Sequence, residues 1–396
     1  MDASIYRIKY RDVLTLCVIS LLAMGVVMVQ SASMRVTGNI RWQWTGAGMS
    51  QLKLAVVAFF TYFFVGKFDY AQLGRRPFWK NPTVILIVVA AVLCAMVLVP
   101  GMGKEINGAR RWLRFAPLQP SELGKWSVIF FLCYALTYRP FDVDRFFRGF
   151  VPMLLPVGII LLLVIIQDFG TAALIALCTI VICLAGRVKL RHILVVMVPA
   201  SAIGFWFVHH KAYRWRRITA FMDPYSAPQK EGYHMIQSLL SFSTGGIFGR
   251  GLGNGIQKLG YLPEDTTDFI FAVICEELGI CGALLTIALY LGILFVAWQV
   301  IRRQRDSFGR LIAFGVACMV GFQALINIAV ATVSVPTKGL SLPLVSAGGS
   351  GLVITCAALG VLYSVSRHQH KAEPGTETKA EAMRWDLTST DLAAAL

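Results

Sequence analysis

Acidic residues are scarce in this chain, 21 Asp and Glu against 37 Lys and Arg in 396 residues. A few of them sit where an ionised group is costly. Glu122, Asp168, Glu276 and Glu277 lie at or within the ends of long apolar blocks, and Asp268 is the last polar residue before the run Phe269–Ile274. Ionisable groups at membrane depth are expensive and mark function by default. A carboxyl group in the position of Asp268 is partly desolvated, so its proton affinity rises, which suits a general base. Its other reading is the N-cap of the helix that follows. Glu122 and Lys125 stand three residues apart just after Pro120, on one face of a helix start. They read either as an ion pair closing that start or as a charged wall of a cavity. Asp168, before Phe169-Gly-Thr171, reads as a cap of the next helix. Tyr213-Arg-Trp-Arg-Arg217 interleaves cations with aromatics, which suits an anionic head group or a membrane-surface anchor. Arg110, Arg111 and Arg114 suit lipid phosphates or a wet interface. Glu264 and Asp268 are four residues apart and could share a divalent ion.

These groups need a scaffold in lipid. The chain is 57% apolar and 15% charged, with mean hydropathy +0.66, against about 45–50% and about 25% for soluble domains. That excess excludes a cytosolic enzyme, a disordered chain and a secreted disulfide scaffold. Apolar blocks near 13–31, 52–66, 83–100, 123–138, 150–167, 170–186, 190–208, 269–301, 308–335 and 343–366 predict an all-α integral membrane protein, a polytopic bundle of about ten transmembrane helices. The second block is short and can extend into the preceding loop; the block 269–301 is too long for one straight perpendicular span.

The net charge of +16 then reads as loop charge rather than as a nucleic-acid footprint. Cations crowd one side, in Arg7-Ile-Lys9, Arg75-Arg76, Arg145, Arg148, Arg187 to Arg191, Arg302-Arg303 and the tail, and thin out in the short loops opposite. This bias places both termini in the cytoplasm and leaves one large extracytoplasmic loop, 209–268. The first span follows a short basic start with no small-residue cleavage pattern, as in an uncleaved helix. Residues 1–368 form one transmembrane domain, and 369–396, polar with Pro374 and Gly375, a disordered cytoplasmic tail. The nine cysteines form no CxxC pair and read as small packing residues.

Several stretches together resemble the SEDS family (shape, elongation, division and sporulation), the polytopic FtsW and RodA proteins of bacterial cell-wall synthesis. They are Val29-Gln-Ser-Ala-Ser33, Asn107–Arg111 with Trp112, Gln119-Pro-Ser-Glu-Leu123 with Lys125, Asp168-Phe-Gly-Thr171, Gly245-Gly with Gly249-Arg-Gly-Leu-Gly-Asn254, and Gln257-Lys258. Further on stand Tyr261-Leu-Pro-Glu264, Thr267-Asp-Phe-Ile-Phe-Ala272, Glu276-Glu-Leu-Gly279, Asn327, Pro336-Thr-Lys-Gly339 and Leu342 to Ser350. They keep the family order, and the wording is closer to FtsW than to RodA. The resemblance implies a ten-span peptidoglycan glycosyltransferase that polymerises lipid II, the undecaprenyl-pyrophosphate disaccharide pentapeptide, at the outer face of the bacterial cytoplasmic membrane. It implies work at the division septum beside a class B penicillin-binding transpeptidase, other divisome proteins and membrane lipids, with no nucleic acid. The family's essential loop aspartate falls on Asp268, and the Glu and Lys of its central cavity on Glu122 and Lys125. There are departures. Asp265 and Thr266 stand where the family usually has Ala and His, Ile166 and Gln167 shift a polar position, His234 replaces a common Gln, and Ala347 a usual Tyr.

The chemistry this asks for is modest. Pyrophosphate is a good leaving group whose growing charge needs cations, and the acceptor hydroxyl needs one positioned carboxylate; direct displacement inverts the anomeric carbon. These readings make Asp268 the base and assign substrate binding to Glu122, Lys125, Arg110, Trp112, Arg214, Arg217, Lys258 and Glu264. Asp168, Lys338 and Ser346 shape the cavity. No residue is assigned to a metal, and a divalent cation, Mg or Mn, stays open as an addition. A transporter of the lipid-linked precursor or a non-catalytic scaffold for the transpeptidase are the rival classes. The gathering of reactive groups in the outer loop favours the enzyme.

Overall fold

The computed structural model describes residues 9–34, 46–106, 109–115, 118–138, 140–210, 212–230 and 232–368, without the side chains at 106, 109, 207–208 and 212–214. The predicted tail 369–396 lies outside the described residues. The described chain is helical, with one two-stranded hairpin. The helices are α1 (Tyr10–Ala32), α2 (Gly46–Lys67), α3 (Pro82–Leu98), α4 (Pro120–Tyr138), α5 (Val151–Ile165), α6 (Phe169–Ala185), α7 (Leu190–His209), α8 (Ala212–Met222), α9 (Tyr233–Gly245), α10 (Ile270–Arg303), α11 (Ser307–Ala331) and α12 (Ser350–Arg367). Six segments are long and apolar enough to cross a membrane: α1, α2, Phe146–Ile165, α10, α11 and α12. Three shorter apolar helices, Pro82–Leu98, Phe169–Ala185 and Leu190–Trp206, accompany them. Each of the ten predicted blocks lies on one helix, and α2 does begin inside the preceding loop.

α4 is the hub. It is buried without interruption from Gly124 to Leu136 and packs against α3, α6, α11 and α12. A helix that is apolar on every side belongs inside a bundle. α1 packs on α10, and α2 on α12, at the rim.

Two sequence expectations are corrected. The predicted spans 308–335 and 343–366 are shorter, because α11 ends at Ala331 and α12 starts at Ser350. The stretch between them is irregular, with Pro336, Pro343 and left-handed backbone at Val333, Leu344 and Gly349. Non-helical backbone at this depth is tolerated where protein buries it or a cavity runs beside it. The second correction is a β-hairpin, β1 (Gly103–Ile106) and β2 (Ala109–Leu113). Ile106 pairs with Ala109, and the Asn-Gly dipeptide between them in the sequence is the strongest short-range hairpin signal. The register pairs Glu105 with Arg110 and Lys104 with Trp112, so Arg111 is the extra residue of a bulge. Bulges re-aim a side chain.

The overlong block does bend. α10 breaks at Gly279 (φ 66°, ψ −162°). The backbone bonds lost at the break are replaced by the glycine-rich segment after α9. The amides of Arg250 and Gly251 donate to the carbonyls of Glu276 and Glu277, each at 3.0 Å, and the amides of Ile280 and Cys281 donate to Gly246 and Ile247 at 3.0 and 3.2 Å. A Cβ on Gly279 would lie 2.4 Å from both Gly249 N and Ile247 O. Gly279→Ala therefore costs at least about 1–3 kcal/mol for its left-handed backbone, before any clash. The purified variant should melt several degrees below wild type in detergent, and an unchanged Tm would contradict this account of the break.

Candidate functional site

Asp268 sits just before α10, in a tight turn whose backbone is held from three sides. Asn327 Nδ2 on α11 donates to the Asp268 carbonyl at 2.9 Å and to the Leu340 carbonyl at 2.7 Å. Ser346 Oγ donates to the Thr267 carbonyl at 2.6 Å and accepts from Leu342 N at 2.8 Å. The Ala347 amide donates to the Thr266 carbonyl at 2.9 Å. The irregular stretch 332–349 is itself tied back to the bundle. Gln323 Nε2 donates to Ser341 O at 2.8 Å, Gln51 Nε2 to Ser346 O at 3.3 Å, and the Tyr290 hydroxyl to Pro343 O.

The Asp268 side chain is used by none of this. The N-cap of α10 is Phe269, with no side-chain cap, so the capping alternative for Asp268 falls away. Among the described residues the carboxylate accepts no hydrogen bond. It is partly accessible, yet protein surrounds it closely. A Cβ on Gly339 would stand 3.1 Å from its Oδ2 and 3.5 Å from Arg111 Nη1, so Gly339 leaves room for both. Burial, then the charges of Glu264 and Asp168, push its pKa up to about 7, against the pull of Arg111 and Arg217. Neighbouring Asp265 is pushed up by its lesser burial to about 6, with a backbone hydrogen bond from Thr266 pulling the other way.

Two arginines act on the carboxylate. Arg111 Nη1 lies 3.7 Å from Asp168 Oδ2, and its Nη2 donates to Gln167 O at 3.4 Å. Arg217 Nη1 on α8 donates to Thr337 O at 3.5 Å. Lys338 Nζ stands 5.8 Å from the centre of the Phe169 ring, and burial holds its pKa below the usual lysine range while Asp168 pulls the other way. Asp168 is the cap that the sequence suggested. It accepts from Thr171 N at 3.1 Å and from Thr171 Oγ1 at 3.0 Å.

The other predicted residues sort into distinct roles. Lys125 is fully buried, pairs with Glu122 at 2.8 Å and donates to Gln323 Oε1 at 2.9 Å. Glu122 also borders a small cleft with Gln323, Ser341, Ser346 and Thr355. The pair lies in the first turns of α4, with Glu122 bordering the cleft and Lys125 fully buried. Trp112 covers Gly349, where a Cβ would lie 2.9 Å from its ring. Glu264 has left-handed backbone (φ 58°) and accepts from Thr267 Oγ1 at 2.8 Å. Lys258 is committed elsewhere. It is buried and bonded to Glu277 Oε1 at 2.7 Å and Ser31 Oγ at 3.0 Å. Arg110 is exposed and paired with Glu105 across the hairpin at 3.4 Å. The Arg214 side chain lies outside the described residues.

Arg111, rather than Arg110, is the hairpin cation brought to the site. Asn327, which fastens the turn, and Gln323, which fastens the stretch opposite it, were not assigned to the site; Asn327 stood among the family-like positions, and Gln323 was marked only by a lone amide inside an apolar run. Nor was His234 on α9, whose ring stacks on Phe269. Among the described residues no group of three or more His, Cys, Asp or Glu converges.

Fold and site together define a multi-pass helical membrane protein with one desolvated carboxylate among cations, at the end of a broken helix. A family model described as "Cell cycle protein", covering FtsW, RodA and SpoVE, matches residues 11–371, and the chain belongs to that family. It is 41% identical over 297 residues to a probable peptidoglycan glycosyltransferase FtsW of Geobacter sp. (strain M18), covering 74% of this chain and 81% of that one. It is 38% identical to the protein of the same name from Trichlorobacter lovleyi, over 90% and 93% of the two chains. Among solved structures it is similar to a chain of a peptidoglycan synthase complex (TM-score 0.69, 28% identity, 90% of this chain and 98% of that one). It is also similar to the Thermus thermophilus rod shape determining protein RodA (TM-score 0.63, 27% identity, 90% and 97%).

The Glu122–Lys125 pair gives a direct stability test. Removing one partner leaves a buried charge uncompensated, at about 3–5 kcal/mol. Lys125→Met should lower Tm sharply in detergent, and adding Glu122→Gln should recover part of the loss. Equal melting of the single and double variants would show that the two buried charges do not compensate each other.

Proposed function

We propose that this chain is a peptidoglycan glycosyltransferase that polymerises lipid II at the outer face of the bacterial cytoplasmic membrane, in septal cell-wall synthesis. One observation carries the reading: in a chain of this family, Asp268 is a desolvated carboxylate without a hydrogen bond among the described residues, acted on by Arg111 and Arg217. Both requirements of glycosyl transfer from a pyrophosphate are met in one place.

The acceptor hydroxyl loses its proton to the Asp268 carboxylate as its oxygen bonds to the anomeric carbon of the donor. The bond from that carbon to the pyrophosphate oxygen breaks, the leaving group takes the electron pair, and the carbon inverts. Preorganised cations meet the charge that develops on the pyrophosphate, and they act strongly because the site is poorly solvated. A base with a pKa near 7 is well matched to neutral pH. It is substantially ionised, and far more proton-hungry than a solvated aspartate.

The cation bias of the loops puts both termini in the cytoplasm and the Asp268 end of the bundle outside. A class B penicillin-binding transpeptidase is the expected partner, with other divisome proteins nearby. Support comes from the similar chain in a peptidoglycan synthase complex described for the coordination of polymerization and crosslinking. The fine substrate contacts fall to Glu264, Trp112 and the cavity beside Glu122.

Asp268→Asn keeps the shape and removes the basicity. With purified protein, its transpeptidase and labelled lipid II, the variant should make glycan strands about 10²–10⁴-fold more slowly. Strand synthesis at the wild-type rate would refute the base assignment. Flipping of lipid II without strands in the wild type would favour the transporter.

A further inference from the structure

α9 brings a second titratable group to the site. The ring of His234 lies 5.9 Å from that of Phe269, centre to centre, and 12° from parallel. Phe269 directly follows Asp268, so the imidazole stacks on the side chain next in sequence to the carboxylate. Stacking occupies a face of the ring, and Tyr233 meets it at 6.4 Å and 76°. Only the ring edge is left to bond. There, Nδ1 is buried and has no hydrogen-bond partner among the described residues. Leaving such an atom unsatisfied costs about 1–3 kcal/mol, and such exceptions call for a role.

The charges facing His234 come from two other segments, Arg217 on α8 and Glu264 in the turn. The same two act on Asp268. Burial and Arg217 hold the histidine below its usual range, so the ring is neutral at pH 7 and offers one donor and one acceptor nitrogen.

We propose that His234 is a substrate-contacting residue of the Asp268 centre, which hydrogen-bonds a hydroxyl of the acceptor sugar through its ring edge and holds that sugar against the base. The inference rests on the glycosyl-transfer reading. It adds a residue that takes no part in the covalent step: no proton needs to end on the imidazole. Protonating His234 would block the acceptor nitrogen and set a second cation beside Arg217. The acid side of the pH–rate profile is therefore built from two ionisations, Asp268 near 7 and His234 below it.

The test compares His234→Gln, which keeps a hydrogen-bonding side chain but does not titrate, with His234→Ala, in full-length protein with its transpeptidase and lipid II. His234→Ala should lose at least tenfold in strand synthesis while its Tm stays close to wild type. His234→Gln should keep most of the rate at pH 7.5. On the acid side, the wild-type log rate should steepen from a slope of about one towards two as pH falls, and that of His234→Gln should stay near one. Three results overturn the proposal: a wild-type rate in His234→Ala, equal loss of rate and Tm in both variants, or superimposable profiles for wild type and His234→Gln. Asp268→Asn in parallel separates the two claims. If it is inactive while His234→Ala is normal, only the histidine fails. If it is fully active, the base reading itself fails.

Discussion

A carboxylate in a poorly solvated place must be neutralised, bonded or strained, and this fold treats one carboxylate differently from the rest. Glu277 is held by Ser31, Lys258 and the Gly253 amide, and Glu276 by the amides of Ile256 and Gln257. Glu122 has Lys125, and Asp168 has Thr171 and Arg111. Asp268 alone among these five has its main chain fastened and its side chain left open. The raised proton affinity follows from that contrast, since nothing but distant charge supports the ionised form. The reactivity proposed for the site comes from what the surrounding structure withholds.

Withholding partners requires a rigid frame, and the frame is built from irregular backbone. The break at Gly279 turns the start of α10 out of the line of its second half, and the glycine-rich segment supplies the hydrogen bonds that the break costs. Opposite, the stretch 332–349 meets the turn through the Ala347 amide at Thr266 and the Ser346 hydroxyl at Thr267, while Asn327, Gln323 and Tyr290 hold the stretch to the bundle. The buried acids Glu276 and Glu277 belong to this frame. Their cost in apolar surroundings is met by lysine, hydroxyl and amide donors, and they stabilise a broken helix that would otherwise expose carbonyls to lipid.

Much of this was legible in the sequence, and the part that was not has physical causes. The apolar blocks mark helices because lipid demands long apolar runs, and a block too long to stand straight announced its own bend. Asp268 could be picked out because acids are few and it borders an apolar run. What periodicity could not give was the backbone between α11 and α12, where apolar composition continues although proline and left-handed residues stop the helix. Neighbouring Arg110 and Arg111 look alike in sequence, and only the bulge sends one to Glu105 and the other to Asp168. Lys258 and Lys338 both stand in glycine-rich surroundings, but Lys258 pairs with Glu277 while Lys338 faces the Phe169 ring near Asp168. Two departures from the family wording, Thr266 and Ala347, meet through a main-chain hydrogen bond, a contact that either side chain permits.

The central claim is that Asp268 holds its proton far more tightly than a solvated aspartate while remaining able to give it up at neutral pH. Difference infrared spectroscopy of the purified protein, wild type minus Asp268→Asn, isolates the carboxyl band of that one residue and follows it through a pH titration. A protonated-acid band that disappears with a midpoint near 7 is the result expected here. A midpoint near 4, the ordinary range for aspartate, would mean that the carboxylate is bonded or solvated after all, and would contradict the account.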